Sequence, residues 1–151
     1  MLGSKSQERY KLLEVNDLVK DYPLGGSGFS SRSLRAVDKV GFVVKPGETL
    51  AFVGESGSGK STIGRCLLNL TETTAGEIKF RGSLIQNLPE RHFRAYRKEL
   101  QIVFQSPIGS FNPRMKVGDA LLEPMQLRDD LEKSQYLGEA KRLMEQVGLE
   151  E

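Results

Sequence analysis

The chain has 151 residues, 38% of them hydrophobic and 28% charged, which is ordinary for one soluble globular domain. Lys and Arg total 22 against 20 Asp and Glu, so the net charge of +2 gives no overall field that would attract nucleic acid. The N-terminus has no apolar signal-peptide core, and no segment approaches the roughly 18 to 20 apolar residues of a membrane span. The single cysteine, Cys66, excludes an internal disulfide and is expected to be a small core residue.

The first 48 residues predict a β-layer. Leu12–Tyr22 alternates loosely between apolar and polar residues and predicts a strand. The glycine-rich stretch after it has no lysine and no following helix, so we interpret it as a hinge or surface loop. LRAVDKVGFVV, residues 34–44, predicts two short strands, and Pro46 and Gly47 predict a turn. A partly antiparallel layer is therefore expected.

TLAFVG, residues 49–54, is a continuous apolar run, typical of a strand buried on both faces of a parallel sheet. Further strands are expected in GEIKFRG and LQIVFQ, with a basic, helix-like stretch, LPERHFRAYRKE, between them. Ser61–Leu70 is predicted to be a helix. Its apolar face is expected to carry Ile63, Cys66, Leu67 and Leu70.

The C-terminal part predicts helices. VGDALLEPMQL indicates a short helix interrupted at Pro124, and the last helix is expected to begin with a capping box of Asp129 and Glu132 and to end at Gly148. Its apolar face is predicted to comprise Tyr136, Leu137, Ala140, Leu143, Met144 and Val147. This region indicates a helical subdomain.

GESGSGKST, residues 54–62, fits the pattern G-x-x-x-x-G-K-[ST] between an apolar run and an amphipathic helix. Glycines allow successive backbone N–H groups to surround a phosphate at the start of a helix. Lys60 is expected to reach the β- and γ-phosphates, Ser61 to bind Mg²⁺, and Thr62 to donate toward the α-phosphate. The remaining predicted contacts come from the loop residues Gly54, Glu55, Ser56, Gly57, Ser58 and Gly59.

Gln105 follows the second apolar run and precedes the loop SPIGSFNPRM. At the carboxyl edge of a sheet, its amide could bind Mg²⁺ and a water together. From the residues alone, Gln105 could equally be a polar residue at a strand end. The loop after it, with two prolines, is suited to contact and motion.

VDKVGFVVKPGETLAFVGESGSGKST and QIVFQSPIGSFNPRM together resemble the ATP-binding subunit of an ABC transporter, most closely those of dipeptide and oligopeptide importers. The resemblance covers nearly the whole chain. It implies that GESGSGKST is the Walker A motif and that Gln105 is the Q-loop glutamine, which senses Mg²⁺ and the γ-phosphate. It also implies that an aromatic residue stacks on adenine, for which Tyr22 is the first candidate and Phe29 the second.

The resemblance implies an α/β fold: a P-loop NTPase core with an N-terminal antiparallel β-layer and the start of a helical subdomain. Residues 1–105 would form the β-layer and core, and residues 106–151 the Q-loop and part of the helical subdomain, together making an incomplete domain. The implied ligands are ATP and Mg²⁺. The implied partners are transmembrane permease subunits and a second, identical or different, ATP-binding subunit, with the chain peripheral at the cytoplasmic face of the membrane.

The sequence departs from the family where catalysis is concerned. It ends at Glu151 before any LSGGQ-like signature, before an apolar strand ending in Asp-Glu (Walker B), and before a switch histidine. The lone His92 lies in the basic stretch and is expected to be a surface residue. Hydrolysis requires a carboxylate that orients water, so these residues alone are expected to bind ATP without hydrolysing it.

Two other readings remain open from the sequence. The chain could be a nucleotide-responsive module that docks a membrane subunit through residues 105–115 and hydrolyses nothing. It could also be another P-loop enzyme such as a small kinase, although no acceptor site or lid is identifiable. Arg91, Arg94, Arg97 and Lys98 are interpreted as a solvated face and not as a nucleic-acid site.

Overall fold

The computed structural model describes residues 11–24, 32–104, 112–128 and 130–149. The chain divides into two compact units, Met1–Ala95 and Tyr96–Glu151. The first contains β1 (Leu13–Leu24), β2 (Arg32–Val44), α1 (Lys60–Leu67), β3 (Ala75–Phe80), β4 (Ser83–Leu84) and α2 (Glu90–Phe93). The second contains α3 (Val117–Leu122), α4 (Tyr136–Gln146) and 3-10 turns at Tyr96–Lys98, Pro124–Leu127 and Lys133–Gln135.

The predicted β-layer is a four-stranded antiparallel sheet with the strand order β2-β1-β3-β4. The prediction of a strand at Leu12–Tyr22 is confirmed within a residue or two by β1. The prediction of two short strands in residues 34–44 is wrong, because β2 runs unbroken from Arg32 to Val44. The pairing with β1 absorbs the irregular pattern through register shifts between Val15 and Asp21, so one long strand replaces two.

The core of the first unit lies between the sheet and α1. Its buried side chains come from β1, β2 and β3, from α1 and the residue after it, from the segment after β4, and from α2. They include Val15, Leu18, Val19, Val37, Ile63, Cys66, Leu68, Ile78, Phe80, Ile85 and Phe93. Burial of these side chains fixes α1, and with it the segment that precedes α1, against the sheet.

α1 ends at Leu67, three residues earlier than predicted. Asn69 adopts a left-handed conformation with φ of 52°, its N–H donates to the Cys66 carbonyl, and the Leu70 N–H donates to the Arg65 carbonyl. This hydrogen-bond pattern ends a helix as a C-terminal glycine would. Leu68 is therefore buried in place of the predicted Leu70, which is exposed.

The two apolar runs predicted as buried strands are exposed in the described part of the chain. Neither residues 49–54 nor residues 101–104 form a strand, and the side chains of Val53 and Val103 are 95% and 93% exposed. The Phe52 ring does pack edge-on against Phe42 of β2, with 5.1 Å between centroids. An apolar run is buried only when neighbouring strands and helices cover it, and none of the described residues pairs with these two runs.

In the second unit, the predicted helix break at Pro124 is confirmed, since α3 ends at Leu122 and a 3-10 turn begins at Pro124. The capping box at the start of the last helical segment pairs Glu132 with Gln135, whereas the sequence predicts Asp129 with Glu132. Asp129 lies outside the described residues. The stop at Gly148 is confirmed, because Gly148 has a φ of 73° and follows the last turn of α4.

The predicted apolar face of α4 is only partly covered. Ala140 is buried, and Tyr136, Leu143 and Met144 are half-buried. Leu137 and Val147, on the same predicted face, are 63% and 71% exposed within this unit. The described part of the second unit therefore covers this face only in part.

Candidate functional site: the phosphate loop

Residues 54–62 form a loop that leads directly into α1, and we call this segment the phosphate loop. The loop contains a turn in which the Ser58 N–H donates to the Glu55 carbonyl at 3.2 Å. Its last residues are the first turn of α1, where the Ile63 N–H donates to the Gly59 carbonyl at 2.9 Å. The segment after residue 53 thus turns back on itself and becomes a helix within six residues.

Gly59 shows why this turn needs a glycine. It precedes α1 with a φ of 92°, a conformation that L-residues with a side chain rarely adopt. A Cβ at this position would collide with the backbone carbonyl oxygen of Ala36 in β2 and would lie 3.7 Å from the Val37 side chain. The absence of a side chain therefore lets the start of α1 pack directly on β2.

The start of α1 presents backbone N–H donors with no partner among the described residues. No side chain caps the helix, and its first turn has no acidic residue. The donors belong to Gly57, Gly59, Lys60, Ser61 and Thr62. Because the first N–H groups of a helix lack intrahelical acceptors and lie at the positive end of its dipole, this loop favours an anion.

Lys60 places the positive charge inside the loop. Its Nζ donates to the Gly54 carbonyl at 2.8 Å, to the Glu55 carbonyl at 2.6 Å and to the Ser58 hydroxyl at 3.0 Å. The loop therefore closes around the ammonium group. The sequence predicts Lys60 as a phosphate ligand, and the structure adds these three contacts, which the motif does not indicate.

The fit of Mg²⁺ rests on Ser61. Ser61 is exposed in the first turn of α1, directly after Lys60 in the sequence, and its hydroxyl is available as an oxygen ligand. The described residues contain no cluster of three or more His, Cys, Asp or Glu that could hold a metal ion. A divalent cation at this position would therefore be coordinated by Ser61 together with phosphate oxygens. Gln105, the second predicted metal ligand, and Phe29 lie outside the described residues.

Tyr22, the first adenine candidate, lies on β1 opposite Leu34 of β2. The Lys20 Nζ lies 4.8 Å from the centroid of the Tyr22 ring, a cation–π contact that the sequence did not predict. The neighbouring Asp21 is held by its N–H, which donates to the Thr74 hydroxyl at 2.9 Å. The strand end that carries Tyr22 is thereby tied to the start of β3.

Cys66 lies in the core behind the phosphate loop and is 1% exposed. Burial raises the pKa of its thiol, and the positive charge of Lys20 opposes that rise. The expectation of a small core residue is confirmed. His92 is exposed, as predicted, and accepts a hydrogen bond from Arg91 at 3.3 Å.

The second unit contains the described end of the loop that follows Gln105. Asn112 to Met115 forms a turn in which the Asn112 side chain accepts the Arg114 N–H and the Asn112 carbonyl accepts the Met115 N–H, both at 3.0 Å. Met115 is partly exposed and Val117 largely exposed. A hydrogen-bonded turn and the start of α3 thus present apolar side chains to the surface.

A cavity of about 630 Å³ also opens in the second unit. Its wall includes Leu121, Met125 and Leu143, and Arg128 lies at its edge. The Arg128 guanidinium is already paired, with Asp130 at 2.6 Å and Glu139 at 3.3 Å. The sequence contains no motif that indicates this cavity.

The arrangement of an antiparallel layer, a glycine-rich loop and a following helix is that of an ATP-binding cassette. The structure matches the ATP-binding cassette MJ0796 bound to ADP and Pi with a TM-score of 0.74 at 23% identity, over 92% of this chain and 58% of that one. It also matches cbiO1 from Clostridium perfringens, part of the ABC transporter complex cbiONQ, with a TM-score of 0.67 at 21% identity, over 93% of this chain and 51% of that one. The fold is therefore the cassette fold, of which this chain spans about half.

The family model for ABC transporters matches residues 37–151, and the chain belongs to that family. The chain is 42% identical over 140 residues to the glutathione import ATP-binding protein GsiA of Escherichia coli O157:H7. That alignment covers 91% of this chain and 22% of the relative, so the chain spans about a fifth of the relative's length. The resemblance inferred from the sequence motifs is confirmed. Within the described residues, no helix is long and apolar enough to cross a membrane.

Proposed function

We infer that this chain binds ATP as part of the ATPase subunit of an ABC importer, with the phosphate loop as its Walker A motif. The observation that carries the proposal is the loop itself, which combines backbone donors that have no partner in the described part of the chain with an ammonium group that the loop encloses. Five N–H donors and one cation match the several oxygens of a di- or triphosphate. The β- and γ-phosphates would contact Lys60, and the α-phosphate would accept from Thr62.

Mg²⁺ would be held by Ser61 together with phosphate oxygens and, through the resemblance, by Gln105. When bound, it neutralises charge on the triphosphate. Tyr22 would stack on adenine, with Phe29 as the alternative. Because Gln105 would respond to the γ-phosphate, Gln105→Ala is expected to leave ADP binding unchanged and to alter ATP binding.

The solute is proposed to be a peptide. The relative is named for glutathione import, and glutathione is itself a small peptide. The chain would lie at the cytoplasmic face of the membrane and dock transmembrane permease subunits through the loop that includes residues 112–115. Support comes from the turn at Asn112 and from the exposed side chains of Met115 and Val117. A second ATP-binding subunit would complete the nucleotide site.

Residues 1–151 alone are proposed not to hydrolyse ATP. Their sequence contains no LSGGQ-like run and no apolar strand ending in Asp-Glu, so no residue is assigned to orient the attacking water. Phosphate release from Mg-ATP is expected to stay at background. Turnover that is abolished by Lys60→Met would contradict this part of the proposal.

Calorimetric titration with Mg-ADP and Mg-ATP tests the binding proposal. Lys60→Met removes the cation and keeps the side-chain bulk. We expect it to weaken binding at least about tenfold, since a charged hydrogen bond contributes about 1.5 to 3 kcal/mol. Lys45→Met is the matched control, because it removes a lysine of the same unit outside the loop. Equal affinities of the wild type and the Lys60 variant would refute the site.

A further inference from the structure

The hydrogen bonds of Lys60 have a consequence for how the phosphate loop accepts a ligand. An ammonium group has three N–H donors, and all three are engaged, with the carbonyls of Gly54 and Glu55 and the hydroxyl of Ser58. A phosphate oxygen can therefore bond to Lys60 only if one of these three acceptors gives way. In the nucleotide-free loop, all three N–H donors of Lys60 are bonded to acceptors of the loop. Binding of a phosphate therefore replaces one of these acceptors with a phosphate oxygen.

The three acceptors differ in how easily they can break their hydrogen bond with Lys60. The two carbonyls belong to the backbone, and the Glu55 carbonyl also accepts the Ser58 N–H, so it is part of the turn that shapes the loop. The Ser58 hydroxyl is attached through a single rotatable bond, and the residue is exposed. Its contact with Lys60 is also the longest of the three, at 3.0 Å against 2.8 and 2.6 Å. Ser58 can turn to water without any movement of the backbone.

Gly54 determines where the Ser58 hydroxyl lies. A Cβ at Gly54 would be only 2.9 Å from the Ser58 hydroxyl oxygen and 4.0 Å from the Lys60 Nζ. The missing side chain at Gly54 thus leaves the space into which the hydroxyl folds. The Ser58 side chain and the Lys60 ammonium share this space within the loop.

We propose that Ser58 is a positioning residue, which holds the Lys60 ammonium in the nucleotide-free loop and gives up its hydrogen bond to a phosphate oxygen on binding. With a diphosphate bound, the two backbone carbonyls remain bonded to Lys60, and one phosphate oxygen takes the third N–H donor. This inference rests on the proposed function of the loop. Because the contact between Ser58 and Lys60 stabilises the free state alone, removal of the hydroxyl makes binding tighter.

The test is a double-mutant cycle, in which the affinities for Mg-ADP and for pyrophosphate are measured by calorimetry. The four proteins are the wild type, Ser58→Ala, Lys60→Met and the double variant. Ser58→Ala is expected to tighten binding about three- to tenfold, a modest gain because the contact is exposed. In the Lys60→Met background the same substitution is expected to change nothing. Ser83→Ala, an exposed hydroxyl on β4, is the control and leaves both affinities unchanged.

A second measurement examines the free protein. The Lys60 side-chain NH₃⁺ protons are expected to exchange with water faster in Ser58→Ala than in the wild type, as followed by NMR. If the wild type binds and Ser58→Ala binds with equal or lower affinity, the proposed role of Ser58 is wrong and the proposed function of the loop still stands. If the wild type binds neither ligand, both proposals fail. An effect of Ser58→Ala that persists without Lys60 also overturns the inference, since the hydroxyl would then act on something else.

Discussion

Three glycines of the phosphate loop and α1 provide a graded test of the loop geometry. Gly59→Ala places a methyl group against the Ala36 carbonyl in a residue with a φ of 92°. A left-handed residue with a side chain costs about 1 to 2 kcal/mol, and an extra buried methyl costs about 1 to 3 kcal/mol more. The expected loss in the free energy of unfolding is therefore about 2 to 5 kcal/mol.

Gly57→Ala separates the two contributions. Gly57 has a φ of 83° but nothing within 4 Å of its would-be Cβ, so only the conformational cost of about 1 to 2 kcal/mol applies. Gly64→Ala, in the middle of α1 and equally open, is expected to stabilise the protein by about 0.5 to 1 kcal/mol. The assay is urea unfolding of the three variants and the wild type. A Gly59 variant as stable as the Gly57 variant would refute the close packing of α1 on β2.

Three further predictions concern other parts of the molecule. Tyr22→Ala is expected to weaken ADP and ATP binding alike by about 1 to 3 kcal/mol in calorimetry, because base–aromatic stacking does not depend on the γ-phosphate. If Phe29→Ala alone weakens binding in this way, Phe29 and not Tyr22 stacks on adenine. Since burial raises the pKa of the Cys66 thiol, stability conferred by the neutral thiol is present below its ordinary pKa and declines as the pH rises above it. Urea midpoints should therefore fall more steeply at alkaline pH in the wild type than in Cys66→Ala, and equal slopes would contradict this. Val103→Lys, at a side chain that is 93% exposed, should reduce self-association in light scattering and change the free energy of unfolding by less than about 0.5 kcal/mol. A large loss of stability would show that the Val103 side chain is covered.

The sequence predicted the turn into α1 more accurately than it predicted the sheet. The spacing of Gly54, Gly59 and Lys60 requires a turn into a helix, and the structure has that turn. The motif could not predict the contacts of Gly59 with Ala36 or of Lys60 with Ser58, because these depend on the path of the backbone and on side-chain rotamers. Neither of these two contacts corresponds to a recognisable pattern in the amino-acid sequence.

The errors in the fold have physical causes of two kinds. β2 is one strand instead of two because bulged pairing with β1 tolerates a residue such as Lys39, whose φ of 48° would otherwise mark an end. Residues 49–54 and 101–104 were predicted to be buried because apolar runs are stable when other segments cover them. The apolar pattern does not indicate whether such covering segments are among the described residues, and here both runs are exposed.

The central claim is that the backbone donors at the start of α1 hold nucleotide phosphates, and backbone-amide NMR during a Mg-ADP titration tests it most directly. The largest shifts are expected at the amides of Gly57, Gly59, Lys60, Ser61 and Thr62, while the amides of α4 keep their positions in the spectrum. Saturable ADP binding that leaves these five amides unmoved would contradict it.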